Sequence, residues 1–316
     1  MMVNDAMQVF ERSKENPIIR VSDIPYPANS VFNAAATEFK NEILLLMRVE
    51  DRRGISHFTT ATSRNGVTDW TIGETPVMKP CLQAHEEEQW GIEDPRITYL
   101  PETKKWIIAY TAYSKFGPMV ALALTEDFVS FERLGAVMPP VNKDAALFPV
   151  RFNGRWAMIH RPVSPYDGAH IWISFSPDLI HWGEHHVLVE ARSRPWWDSA
   201  KVGLSPQPIR TDEGWLILYH GVKTTAAGSI YRNGLALLDL EKPTKLIARS
   251  DEWVFSPEEE YERTGDVDNV VFPCGWMEQD NNIRIYYGSA DSCIATASAS
   301  KTSLLAWLRN HNSLIK

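Results

Sequence analysis

Cysteine is scarce. The 316 residues contain three, Cys81, Cys274 and Cys293, with no C-x-x-C spacing. That excludes a disulfide framework and fits a reducing compartment. Long apolar runs are missing too. No stretch approaches the roughly 18 residues of a membrane span. The start, Met1-Met2-Val3-Asn4-Asp5, has no basic region ahead of an apolar one. The reading is a cytoplasmic protein without a signal peptide. No block of Lys or Arg occurs and the net charge is -8, which argues against nucleic acid or an acidic membrane as partner. The nine histidines show no H-E-x-x-H spacing, and no metal site is expected. A glycine-rich phosphate loop and a G-x-S-x-G elbow are both absent, and no cofactor is implied. No linker or low-complexity segment divides the chain, so one domain over 1–316 is expected.

What the chain has is repetition. Strand-like runs rich in Ile, Leu, Trp and Tyr lie at 42–48, 105–111, 155–160, 214–220 and 283–288. Their starts are roughly 50 to 70 residues apart, near the period of propeller blades with long connections. A turn mark follows several of them. Ala61-Thr62-Ser63-Arg64-Asn65-Gly66 leads to Trp70, Ala123-Leu124-Thr125-Glu126-Asp127 to Phe131, and Ser174-Phe175-Ser176-Pro177-Asp178 to Trp182. Leu237-Leu238-Asp239-Leu240 is a degenerate fourth copy, and 295–300 a fifth. The 12 Trp residues read mainly as anchors of these units, although Trp faces also stack on sugars. The expected architecture is an all-β, five-bladed β-propeller over about 15–300. Short helices are expected at 3–14 and about 302–310, packing on its flank or on another subunit.

Ahead of each strong strand stands a polar residue: Asn33, Asp94, Asp144, Ser205 and Asp268. If innermost strands line a common axis, these five converge at its mouth. Each alone is a simple turn cap. Asp94 is the candidate acid. Pro95 stiffens its backbone, and Trp90 and Tyr99 are expected to desolvate it and raise its pKa. An Asp-Pro turn with a surface Arg96 pair would look the same. Arg48-Val49-Glu50-Asp51-Arg52-Arg53-Gly54 is the densest charge cluster, and Arg52 or Arg53 can grip hydroxyls or an anion from a rim turn. Arg161, Lys201 and His220, with Tyr231 and Arg232, can form an anion cradle at equivalent strand ends. Asp268 and Asp291 add carboxylates that bind hydroxyls or serve a water. His181, His185 and His186 read as surface residues.

Seven motifs together resemble one family. They are Gly91–Thr98 (GIEDPRIT), Arg48–Gly54 (RVEDRRG), Lys143–Pro149 (KDAALFP), His160–Pro162 (HRP), Tyr219–Val222 (YHGV), Gly265–Pro273 (GDVDNVVFP) and Tyr286–Asp291 (YYGSAD). Their order over about residues 15–300 resembles glycoside hydrolase family 130, the inverting β-mannoside phosphorylases. The resemblance implies a five-bladed β-propeller. It also implies reversible phosphorolysis, in which a β-mannoside and inorganic phosphate give α-mannose 1-phosphate and a shortened acceptor. Asp94 matches the family's acid, whose proton passes through a sugar hydroxyl. Phosphate is the nucleophile, so no protein base is needed. Arg161, Lys201, His220 and Tyr231 match phosphate ligands. Asn33, Arg52 and Asp291 match sugar-binding positions, and Arg48, Arg53, Asp144 and Asp268 join them as substrate-binding candidates.

Two other readings share this scaffold. One is an inverting β-mannosidase in which Asp144 or Asp268 activates water. The other is a non-catalytic carbohydrate-binding propeller. The sequence leaves the linkage (β-1,2 or β-1,4), the acceptor sugar and the oligomeric state open.

Overall fold

The computed structural model describes residues 9–314. Strands dominate. Among the described residues α-helix is limited to one turn at Glu260–Arg263 and to Lys301–Asn310. No helix among them is long and apolar enough to cross a membrane.

The strands form five antiparallel units. The first holds Ser30–Phe39, Glu42–Glu50, Ser56–Ser63 and Thr71–Ile72. The second holds Gly91–Leu100, Lys105–Ser114, Gly117–Thr125 and Glu132–Met138. These two share one sheet through a single parallel pairing of Ser56 with Gly91. The third runs through Asn142–Phe152, Arg155–Ser164, Ile171–Ser176 and Gly183–Val189. The fourth runs through Lys201–Leu204, Trp215–Thr225, Gly228–Leu238 and Leu246–Arg249. The fifth has Val271–Gln279, Asn282–Ser289 and Cys293–Ser300, and the start of the chain completes it: Glu11–Arg12 pairs with Ser298 and Ala297. The helix expected at 3–14 is therefore a strand at Glu11–Arg12, where the open edge of Cys293–Ser300 takes up its backbone groups. Residues 3–8 of that expectation lie outside the described residues. The C-terminal helix is present as Lys301–Asn310, and Ser300 Oγ caps it by accepting from Ser303 N at 3.0 Å.

Five apolar cores explain why the strands read as continuous apolar runs. Each core fills the gap between neighbouring units. Ala35, Leu46, Ile97 and Ile108 join the first and second. Ala109, Leu122, Leu147 and Trp156 join the second and third. Ile159, Phe148, Leu204 and Ile217 join the third and fourth. Leu218, Leu235, Trp276 and Ile285 join the fourth and fifth. Leu45, Met47, Tyr286 and Ile294 join the fifth back to the first. Ile107 and Ile108 thus face different neighbours, and both must be apolar.

The recurrent turn has a common cause. Asn65 Oδ1 accepts from Val67 N and Thr68 N at 2.8 and 2.9 Å. Asp127 Oδ1 does the same for Val129 and Ser130, and Asp178 Oδ1 for Ile180 and His181. Asp239 serves Glu241 and Lys242 in the fourth unit. A short carboxylate or amide closing its own turn needs no partner elsewhere, so this signal survives in sequence.

Candidate active site

The first strand of each of the first three units carries a bulge. The register slips between Phe32 and Ala35, between Glu93 and Arg96, and between Lys143 and Ala146. At each bulge one residue adopts positive φ: Asn33 at 48°, Asp94 at 49° and Asp144 at 56°. Asn and Asp tolerate this left-handed backbone better than other non-glycine residues. The bulge turns three buried polar side chains off the regular alternation.

The fifth unit has its slip between Pro273 and Gly275, so Cys274 holds the corresponding place. Asp268 does not. It is exposed ahead of the strand and its Oδ1 accepts from Gly265 N at 3.2 Å, capping a turn. Ser205 is buried with its hydroxyl donating to Asn233.

One cluster surrounds Asp94. Its Oδ1 accepts from Asn33 Nδ2 at 2.8 Å and from Arg48 Nη1 at 2.9 Å. Arg48 also reaches Glu93 at 3.1 Å and Ser56 Oγ at 2.8 Å, and its guanidinium lies over the Phe32 ring. Burial pushes the Asp94 carboxyl upward, but Arg48, Lys143, Arg96 and the Asn33 amide outweigh it and hold the group below the usual carboxylate range. The expected rise does not occur. Trp90 and Tyr99 are 45% and 42% exposed, so they do not close over the acid. Burial and the charge of Asp94 instead push Asp291 up to about 6, against Arg48 and Lys143. Gly288 lets this cluster close, because a Cβ there would clash with Asn33 Oδ1.

A second cluster surrounds Asp144. Its Oδ2 accepts from Arg161 Nε at 2.8 Å and lies 3.4 Å from His220 Nε2, and Arg96 Nη2 is 3.4 Å from Oδ1. Burial would raise this carboxyl, yet Arg161, His220 and Arg96 hold it well below its ordinary range. Lys201 Nζ lies 5.1 Å from the centre of the Tyr231 ring, and His220 packs on Tyr231 and Phe272. Burial, Arg161 and Lys143 push Lys201 down to about 8, and burial takes His220 to about 4 despite Asp144. Among the described residues Lys201 has no carboxylate within ion-pair range, Arg161 bonds only through Nε, and the buried His220 Nδ1 has no partner.

Arg96 ties the clusters together. It is 1% exposed, not a surface residue. Its Nη1 donates to Asp94 O at 2.8 Å, Nε to Ser205 O at 2.7 Å and Nη2 to Leu204 O at 3.0 Å. Lys143 is near enough to bias Asp94, Asp291, Lys201 and Tyr231. The sequence offers Arg96 only as the surface partner of an Asp-Pro turn, and it does not mark Lys143 and Glu93 as site residues, although these two directly precede the bulge residues Asp144 and Asp94.

Three candidates stay apart. Arg53 folds onto Asp51 at 2.7 Å on an exposed turn, and Arg52 is exposed beside it. Arg48, two residues inside the strand end, enters the site instead. Arg232 alternates with Tyr231 along its strand and stacks on Trp253 at 4.3 Å. His181, His185 and His186 are exposed, as expected.

The arrangement can hold an anion at Arg161, Lys201 and His220, next to an acid gripped by Arg48 and Asn33. The sequence profile of the family described as beta-1,4-mannooligosaccharide phosphorylase, glycoside hydrolase family 130, matches residues 4–310. The beta-1,4-mannooligosaccharide phosphorylase of Ruminococcus albus is 34% identical, over 98% of this chain and 94% of that protein. A 1,2-beta-oligomannan phosphorylase of Thermoanaerobacter sp. is 36% identical over 91% and 96%. The structure of beta-1,2-mannobiose phosphorylase from Listeria innocua with beta-1,2-mannobiose superimposes with a TM-score of 0.87 at 30% identity, covering 95% of this chain and 99% of that one.

Proposed function

The chain belongs to glycoside hydrolase family 130, and on that premise we propose that it is an inverting β-mannoside phosphorylase. It cleaves β-1,2- or β-1,4-manno-oligosaccharides with inorganic phosphate and releases α-mannose 1-phosphate. Asp94 supplies the proton to the departing sugar. Phosphate occupies Arg161, Lys201, His220 and Tyr231, and Asn33, Arg48 and Asp291 hold the mannosyl unit.

One observation carries this reading. The Arg161, Lys201 and His220 group keeps unused donors and an unpartnered ring nitrogen beside a single well-ionised carboxylate, Asp144. A hydrolase would need a base there. Asp144 is a poor one, since three cationic or polar neighbours stabilise its ionised form, and Asp268 caps an exposed turn. Phosphate as nucleophile removes the need. The five linking cores, with the fifth unit joined back to the first, support a single five-bladed propeller with the site at the mouth of its inner strands.

The test is incubation with β-1,2- and β-1,4-mannobiose, with and without phosphate. α-Mannose 1-phosphate should form only when phosphate is present. Free mannose released at the same rate in both tubes overturns the proposal.

A further inference from the structure

Lys201 takes its position from its backbone. Its ammonium lies over the Tyr231 ring, 5.1 Å from the centre, and its strand, Lys201–Leu204, begins at Lys201 itself. Lys201 pairs with Val222 and Gly203 with His220, so Lys201, Gly203 and His220 share one face of this strand pair. Val202, Leu204, Tyr219 and Gly221 make the other face. The segment that leads into Lys201 packs on that second face. A Cβ at Gly221 would clash with Asp198 Cβ and come within 2.5 Å of Trp197 Cζ3.

Asp198 is the centre of this segment and is 0% exposed. Its Oδ2 accepts from Arg249 Nη2 at 2.7 Å, from Arg192 Nη1 at 3.0 Å and from Tyr219 OH at 3.2 Å. Arg192 N donates to Asp198 O at 3.2 Å and closes the segment on itself. Trp197 stacks on Tyr219 with ring centres 5.6 Å apart, and its Nε1 donates to Asp251 O at 3.0 Å. The end of the chain secures the two arginines: Arg192 Nη2 donates to Ser313 Oγ at 2.9 Å, and Ser313 N donates to Arg249 O at 2.8 Å. Ala200 N donates to Val222 O at 2.8 Å, so the fastened segment runs straight into Lys201.

We propose that Asp198 is a positioning residue for phosphate binding. It sets the backbone from which Lys201 projects and, through Tyr219, the strand that carries His220. This rests on the phosphorylase reading. A buried carboxylate between two guanidinium groups is costly to break on one side, so the segment is held in one arrangement. Trp197 and Tyr219 belong to the core between the third and fourth units. Asn33, Arg48 and Asp94 stand on the first and second units, and Asp291 on a turn of the fifth. Disturbing Asp198 therefore acts on phosphate and spares the sugar.

The test uses the full chain, inorganic phosphate and the mannobiose that the wild type cleaves. Asp198→Ala removes all three bonds to Oδ2. Its phosphate KM should rise about 10- to 100-fold, the effect of a displacement on the order of 1 Å, with the oligosaccharide KM unchanged. Gly234→Ala displaces the segment without removing a charge, because its Cβ would lie 2.8 Å from Trp197 Cη2. Its phosphate KM should rise as well, and it decides the matter if Asp198→Ala does not fold. A lower melting temperature with neither KM moved overturns the proposal and leaves Asp198 a fastening of the fold. Both KM values rising together overturns it too. Calorimetric titration with inorganic phosphate alone separates the two levels. Variants that bind phosphate as the wild type does overturn the role of Asp198 only, whereas a wild type that binds none overturns the phosphorylase reading and that role with it.

Discussion

Arg48 Nη1 and Asp94 Oδ1 are 2.9 Å apart in the buried centre of the molecule. The side chains are 13% and 4% exposed, so neither charge is well served by water. Asn fits the space of Asp94 and still offers Oδ1 to Arg48 and Asn33. Asp94→Asn should therefore fold normally and lose about 10²- to 10⁴-fold in turnover, the usual range for a positioned acid. Arg48→Met removes the partner instead and should cost roughly 3–5 kcal/mol of stability. Chemical denaturation alongside phosphorolysis assays separates the two. A stable, fully active Asp94→Asn would end its assignment as the acid.

Lys201 should set the affinity for phosphate. One charge-assisted hydrogen bond contributes roughly 1.5–3 kcal/mol, so Lys201→Ala should raise the phosphate KM about 10- to 150-fold. The oligosaccharide KM should move little. Burial with Arg161 and Lys143 nearby brings the ammonium down to about 8. Its charge is present below that pH and lost above it. The wild-type phosphate KM should thus climb above pH 8, and Lys201→Arg, which stays charged, should abolish the climb. Initial rates at several phosphate concentrations from pH 6.5 to about 9.5 decide the matter.

Asp144 should make stability depend on acid. Its folded pKa lies well below the ordinary value because Arg161, His220 and Arg96 outweigh burial. A depressed carboxyl stabilises the fold above its unfolded pKa of about 4 and loses that contribution as pH falls below it. The melting temperature should drop steeply below pH 4, and less steeply in Asp144→Asn. Asp144→Asn should also loosen Arg161 and His220 and weaken phosphate binding. Equal acid slopes in the two proteins would show that Asp144 is not what the acid limb reports.

Local chemistry was legible in the sequence, and long-range placement was not. The turns closed by Asn65, Asp127 and Asp178 need only residues two or three positions away, and they appear as expected. Asn33, Asp94 and Asp144 could be found because few residues tolerate the left-handed backbone of their bulges. Asp268 has the same polar-then-apolar appearance, but the strand begins at Val271, and the bulge falls on Cys274. A cysteine carries no polarity signal. Strand alternation could have separated Tyr231 from Arg232. Nothing local distinguishes Arg96, whose backbone partners Leu204 and Ser205 come from two units later in the chain.

Gly203 is the sharpest steric constraint on the cluster around Asp144 and His220. It pairs with His220 across the strands, and a Cβ would lie 2.5 Å from His220 Nε2 and clash with Asp144 Oδ2. Both neighbours are buried and tied to each other, so neither can withdraw. Gly203→Ala should cost about 1–3 kcal/mol by overpacking and raise the phosphate KM more than the oligosaccharide KM. Gly183 provides the control. It also lies in a strand, but nothing stands within 4 Å of its added Cβ. Gly183→Ala should change stability by no more than about 0.5 kcal/mol and leave both KM values alone. If the two variants behave alike, His220 and Asp144 have room to move and the cluster is not set by packing at Gly203.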